Sequence, residues 1–416
     1  MHLKHLKLKL MKTMYTYLLK TLPVLLITLI SQSVFAQDST KVDSLNMDAV
    51  YNRPFLIKNK GPVAIGGYLE ANTLYKSEEG VSEGFSLQAR RLTIFISSSI
   101  SKRIKFLSEV ELEEGGSHIG IEFAAMDVTF HPLLNLRGGI IMNPIGGFNQ
   151  NHDGPKWEFV DRPEMAVNML PATWSNPGFG FFGKTYLSKS WTFGYEVYVT
   201  NGFDNTIIDN EENKTFLPAS KNNVERFEES FNGSPMFTGK IALKNRVLRE
   251  LGLSYMGGTY NIFDIEGIEL DSKRRVDVFA VDFNTTIKKT KTTIVGEYAQ
   301  VLVDVPSQLG QQYGNKQQGA FIDIIQPVYR RSILDWEKAV FNVAVRAEYV
   351  DWNIGSFNET ATNIGEDKIS ITPAISFRPT SQTVFRLNYR YNLNRDILNN
   401  PRTKGAAWMF GISTYF

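Results

Sequence analysis

The chain has 416 residues, no cysteine and a formal charge of +2. The lack of cysteine excludes a disulfide scaffold, a lipidated N-terminal Cys, thiolate metal sites and Cys nucleophiles. The near-neutral balance gives no whole-chain basic field for nucleic acid. A high count of aromatics, 17 Tyr, 28 Phe and 6 Trp, suits a barrel with an apolar outside and a wet inside.

Residues 1–36 read as a secretory signal peptide. Lys4, Lys7, Lys9, Lys12 and Lys20 precede or enter an apolar run from Thr21 to Ile30, and Val34-Phe35-Ala36 offers a cleavage site before Gln37. The run is too short to span about 30 Å of hydrocarbon as a helix, and it contains Pro23. Removing these five Lys, with no acid among them, takes the formal charge from +2 to −3. Residues 37–62 are polar without periodicity and are expected to form a flexible periplasmic N-terminal extension.

From Val63 to Phe416 the pattern is that of an all-β chain: apolar and polar residues alternate with period two, and Gly, Asn, Asp, Ser or Pro closes each segment. The expected strands are 63–76, 83–100, 104–113, 118–130, 134–142, 178–187, 191–200 and 236–245. They continue at 250–262, 274–288, 291–303, 319–330, 339–351, 367–378, 382–394 and 405–416. Alternation is clearest late in the chain, where Phe341, Val343, Val345, Ala347 and Tyr349 oppose Asn342, Ala344, Arg346 and Glu348. Phe385, Leu387, Tyr389 and Tyr391 likewise oppose Arg386, Asn388, Arg390 and Asn392. Strands 2, 10 and 11 alternate poorly. Connections after even strands are mostly tight and those after odd strands mostly long, the mark of periplasmic turns against extracellular loops. Residues 63–416 are therefore expected to form a transmembrane antiparallel β-barrel of about 16 strands, wide enough for a channel, in the outer membrane of a Gram-negative bacterium.

The last strand places Trp408, Phe410, Ile412 and Phe416 on one side, with Thr414 weak among them. It is expected to serve as a signal for outer-membrane assembly machinery, or simply as an amphipathic edge strand. Trp191, Phe193, Tyr195, Tyr389 and Tyr391 also point outward, toward lipid interfaces or a protomer contact.

The longest internal connection, from Asn143 to about Phe179, carries Trp157, Phe159, Met165, Met169 and Trp174. That is too much apolar surface to leave in water, so the loop is expected to fold into the lumen and constrict it. Lys156, Glu158, Asp161, Arg162 and Glu164 would then supply charge at the narrowest point. An external cap or a subunit contact is the alternative. Inward-facing basic residues on the expected register include Arg91, Lys105, Arg137, Lys184, Lys240, Lys244, Arg346, Arg386 and Arg390; the acids are Glu109, Glu111, Glu113, Glu122, Glu196 and Glu348. Ordinary solvation of a lumen wall explains such a mixture as well as an anion ladder does.

The segment from Leu136 to Gly183 resembles the region of the phosphate-selective porin O and P family that enters its constriction loop. The resemblance rests on Arg137-Gly138-Gly139, Pro144, Phe159-Val160-Asp161-Arg162 and Gly178-Phe179-Gly180, and more weakly on VAVRAEYVDWN and FRPTSQTVFRLNYRY. It implies a 16-stranded, commonly trimeric channel passing anions or other small solutes, with Arg137, Asp161 and Arg162 in the pore region. Dense Arg and Lys clusters are not evident, so the resemblance supports a porin without establishing phosphate.

The expected function is passive diffusion of small solutes with weak anion preference, with outer-membrane lipid and solutes or ions as partners. No nucleic acid, cofactor, metal or catalytic residue is expected. A plugged barrel acting in adhesion or as a complex subunit is the first alternative. A rim-active hydrolase is the second, for which His152-Asp153 would be the candidate pair.

Overall fold

The computed structural model describes residues 45–58, 62–245 and 249–416. The expected signal peptide and residues 37–44 of the expected extension lie outside the described residues.

The first eight barrel strands are β1 (Val63–Glu78), β2 (Val81–Ser99), β3 (Ile104–Glu113), β4 (His118–His131), β5 (Leu134–Met142), β6 (Ser175–Tyr186), β7 (Trp191–Thr200) and β8 (Met236–Asn245). The remainder are β9 (Arg249–Thr259), β10 (Arg275–Thr286), β11 (Thr293–Val303), β12 (Lys316–Ile333), β13 (Trp336–Asp351), β14 (Asp367–Thr380), β15 (Thr383–Asn394) and β16 (Thr403–Tyr415). All neighbours pair antiparallel, and β1 pairs with β16 from Tyr68↔Tyr415 to Glu78↔Gly405, closing a sixteen-stranded barrel. Closure gives every strand a partner on both sides, which an apolar medium requires of the backbone.

Alternation decides which side chain goes where. On β13, Asn342, Arg346 and Glu348 are buried inside while Val343 is exposed outside; on β15, Arg386 and Asn388 are buried while Leu387 is exposed. The outer wall is thus an apolar band that includes Ile65, Phe179, Phe237, Phe279, Ile371 and Trp408. At the end carrying the tight turns, Phe341 stacks on Phe377 with ring centroids 4.5 Å apart, and Tyr329, Trp336 and Phe385 extend the cluster. Such an aromatic girdle suits a lipid interface.

Three features depart from the expectation. The first two connections after odd strands are tight (residues 79–80 and 114–117), so the long loops begin only after β5. The connection between β9 and β10 carries a small hairpin, Asp264–Ile265 with Ile268–Glu269. Residues 45–58, expected to be flexible, instead form a turn (Asn46–Asp48) and a short helix (Pro54–Lys58) that pack against the inner wall. Their apolar residues Leu45, Met47, Val50 and Phe55 are buried, where a flexible stretch was expected.

Candidate functional site: the filled lumen

The interior is built from the 143–174 connection. Asn143, Gly146 and Gly147 start it beside β8, β9 and β11, where Lys240 Nζ donates to the Gly146 carbonyl at 2.7 Å and Glu297 accepts from the backbone N–H of Gly147 and Phe148 at 2.9 and 3.0 Å. The chain then crosses to the opposite wall. Arg386 of β15 donates to the carbonyls of Gly154 and Phe159 at 3.2 and 2.7 Å, and Asn388 accepts from Val160 N–H at 2.6 Å. Arg346 of β13 donates to the Asp161 carbonyl at 2.8 Å. Inward side chains on widely separated strands thus hold the loop by its main chain, and it lies inside the barrel.

Its return limb meets apolar wall. Met165, Met169, Leu170 and Trp174 form one core with Phe203, Ile207 and Leu217 of the 201–235 connection and with inward residues Met256, Val276, Val278, Val301 and Phe321. Here β10 and β11 are apolar on both faces, since Val276 and Val278 point in while Phe279 and Val281 point out. This accounts for their poor alternation: a strand buried on both faces reads as a continuous apolar run.

The expected constriction residues are brought together on the polar side. Asp161 pairs with Arg90 at 2.6 Å and Arg390 at 3.0 Å; Glu158 pairs with Arg378 at 2.6 Å and accepts a short hydrogen bond from Ser376. Glu164 pairs with Lys368 at 2.9 Å and Lys156 with Asp153 at 3.1 Å. Arg162 is held more loosely: its side chain is one-tenth exposed, and it pairs with Glu111 at 3.7 Å. The Arg90 and Arg390 charges beside Asp161 hold its carboxyl below the usual carboxylate range, against burial, which acts upward.

Six of the nine wall cations expected to face inward, Arg91, Arg137, Lys184, Arg346, Arg386 and Arg390, do so and each has an acid. Arg91 meets Glu70 and Glu111 at 3.3 and 3.2 Å; Arg137 meets Asp127 at 2.8 Å; Lys184 meets Asp48 at 2.8 Å. Arg346 grips Asp323 at 2.6 and 2.8 Å, Arg386 meets Glu70 at 2.9 Å, and Arg390 meets Asp161. Several of the partner acids, Glu70, Asp127 and Asp323, and Asp282, which meets Lys240 at 2.6 Å, were not picked out from the sequence. A strand-by-strand face assignment over β1, β4, β10 and β12 would have found them.

His152 and Asp153 do not form a rim pair. His152 is buried with Nε2 2.9 Å from Glu109 Oε1 and Nδ1 2.9 Å from the Asn149 carbonyl. Contact with an acceptor on each side calls for a proton on both ring nitrogens. Burial acts against that charge, but Glu109 and Asp153 outweigh it and raise the imidazole above its ordinary value. Glu109, His152 and Asp153 lie close enough to suggest a metal cluster. Arg53 Nη2, however, spans Glu109 and Asp153 at 2.6 and 2.9 Å, so the cluster carries its own cation. Burial in these ion pairs takes His152 away from the rim.

Open space remains beside the loop. A cavity of about 550 Å³ lies at the tight-turn end, between Phe148, Trp157 and Glu158 of the loop and wall residues such as Asp282, Arg330 and Arg378. Toward the loop end, Arg90 and Asp161 are each about one-quarter exposed. Between these levels Phe159 and Val160 pack on Ala344, Ala374, Ala407 and Met409.

Comparison with solved structures places the fold among outer-membrane porins. An anion-selective porin from Comamonas acidovorans is 11% identical with a TM-score of 0.53, covering 85% of this chain and 99% of that one. The OmpF of Salmonella typhi, solved with daunomycin, is 10% identical with a TM-score of 0.52 over 85% and 97%. The outer-membrane channel DcaP of Acinetobacter baumannii is 12% identical with a TM-score of 0.51 over 86% and 99%. No family model matches the sequence. An uncharacterized protein of Aquifex aeolicus (strain VF5) is 34% identical over 192 residues, which spans 44% of this chain and 42% of that protein.

Proposed function

We propose that this protein is an outer-membrane channel for passive diffusion of small solutes, in which residues 143–174 set the passage. The observation that carries the reading is a loop held inside a sixteen-stranded barrel by opposite walls, with Arg90 and Asp161 still about one-quarter exposed on its polar side. On this reading both termini face the periplasm and the long loops face outward.

A weak anion preference at most is expected, because the wall cations are matched by acids. The pairing of Arg137 with Asp127 also argues against a dedicated phosphate ladder, so the likeness to phosphate-selective porins is taken no further than the channel. Homotrimer formation remains part of the proposal, resting on that likeness.

Shortening the loop between Phe148 and Trp174 in an assembled barrel is expected to raise single-channel conductance in planar bilayers. Unchanged conductance would place the loop outside the conducting path. A plugged structural barrel is the competing reading, favoured by the packing of Phe159 and Val160 on the wall alanines, and it requires that wild type conduct nothing.

Trp408, Phe410 and Ile412 lie on the outer face of β16, and Phe416 extends the ladder by exchanging hydrogen bonds with Gly67 at 3.0 and 3.3 Å. We assign this strand the role of assembly signal. Phe416→Asp should then reduce heat-modifiable barrel far more than deletion of residues 37–44; equal yields would refute the assignment.

A further inference from the structure

We infer that residues 45–58 are an inner strap that closes part of the periplasmic mouth and is latched there by Arg53. The inference rests on the channel reading above.

The strap crosses the mouth from β10 to β1. At its start, the Asn46 backbone N–H donates to the Glu250 carboxylate at 2.9 and 3.0 Å, and the Asn46 side chain donates to Asp282 at 3.0 Å. Leu45 and Met47 pack on Ala242 of β8, and Asp48 pairs with Lys184 of β6. In the middle, Val50 joins Leu107, Phe123 and Ala125 of β3 and β4, and the Tyr51 hydroxyl meets Arg137 at 3.3 Å. At its end, Phe55 stacks on Phe95 with centroids 5.7 Å apart.

The wall is shaped to receive it. Gly194 and Gly66 face inward where Met47 and Phe55 lie, and a Cβ on Gly194 would come within 2.7 Å of Met47 Sδ. A Cβ on Gly66 would stand 2.5 Å from Phe55 Cβ. An ordinary inward side chain at either place would unseat the strap.

The latch ties three parts of the molecule. Arg53 bonds Glu109 of β3 and Asp153 of the lumen loop, while its guanidinium lies 3.5 Å from the Phe95 ring centre. Tyr415 of β16 donates to the same Asp153 at 2.7 Å. Asn46 also accepts from Asn151 of the loop at 3.0 Å. Strap and constriction loop are therefore held as one unit, and freeing the strap would widen the mouth and loosen the loop behind it.

The test compares single-channel conductance of wild type, a deletion of residues 45–58, an Arg53→Ala/Asn46→Ala double variant and a loop-shortened variant, each first checked for heat-modifiable assembly. Deletion and the double variant should each raise conductance by about two-fold or more, since a pore conducts according to its narrowest cross-section. The natural chain has no cysteine, so Leu45→Cys with Ala242→Cys, joined by a short bis-maleimide in the double variant, should return conductance to the wild-type level. Wild-type conductance in both strap variants, with a rise in the loop-shortened one, would overturn the strap and leave the channel standing. A tether without effect would also overturn it. Silence of every assembled variant would overturn the channel reading and the strap with it.

Discussion

The two halves of the lumen are filled by different physics. Toward β8–β13 the loop end is an apolar core in which Met165, Met169 and Trp174 interlock with Met256, Val276 and Phe321. Across from it, β13–β15 and β1–β3 hold the loop through ion pairs and main-chain hydrogen bonds. A core filled by shape tolerates volume-conserving change and resists holes. A network filled by charge tolerates the loss of a whole pair better than the loss of one partner. The difference predicts which half can move: the apolar half anchors the loop, and the polar half, where Arg90 and Asp161 are partly exposed, lets it adjust.

The largest effect tests the anchor. Trp174→Ala should cost about 3–5 kcal/mol of stability, as deletion of a large buried aromatic does, read from urea unfolding of the folded barrel; Met165→Leu should cost less than about 1.5 kcal/mol. A small loss in Trp174→Ala would deny the apolar half its anchoring role.

The charged half should behave in the opposite way. Asp323→Ala leaves Arg346 buried without its carboxylate and should cost about 3 kcal/mol or more, whereas Asp323→Leu with Arg346→Met should restore most of the loss. If the double replacement is worse than the single one, the pair contributes more than neutralisation of a buried charge.

A smaller effect concerns pH at the strap. His152 has its folded-state pKa raised, so its contribution is complete below its unfolded value and is lost as pH rises through the raised one. Asp153 has its pKa lowered, chiefly by Arg53 and Lys156 acting against burial, so its contribution is lost only as pH falls through that lowered value. Between these limits the latch is intact. Raising the pH through the elevated His152 pKa should therefore increase conductance in wild type and less so in His152→Gln, which keeps a donor toward Glu109. Equal pH responses would remove His152 from the latch.

The smallest expected effect is on selectivity. Reversing Arg386 and Arg390 would set new acids against Glu70 and Asp161 and disturb the loop, so those residues are poor probes of the pore. Arg162→Gln is the cleaner change. It should move the reversal potential under a KCl gradient by a few millivolts toward cations, and no movement would place Arg162 away from the ion path.

Much of the fold was legible because β strands in a barrel divide two solvents, and period two records that division directly. β13 and β15 are cases where the outward and inward sets follow from the letters alone. β10 and β11 were harder for a physical reason: the loops bring an apolar core to their inner face, a fact located elsewhere in the chain. The loop was readable as lumenal from Trp157, Phe159 and Trp174, yet its partners were not, since Asn388 and Val160 meet across 228 residues. The packing of 45–58 was hard to read because its apolar residues lie among polar ones at no strand period, and the seats at Gly66 and Gly194 become visible only when the wall is built.

The seam between β1 and β16 bears on the order in which the molecule is made. The first barrel strand has no partner on one side until the last barrel strand exists, and Tyr68 pairs with Tyr415 from one end of the barrel sequence to the other. The loop depends on Arg346, Arg386 and Asn388, which also arrive late. High contact order of this kind slows folding and leaves strand edges open in the meantime. The ring must close around a segment translated before most of its walls, so the yield of folded barrel depends on β1 staying unpaired and the loop staying inside until the last barrel strand arrives.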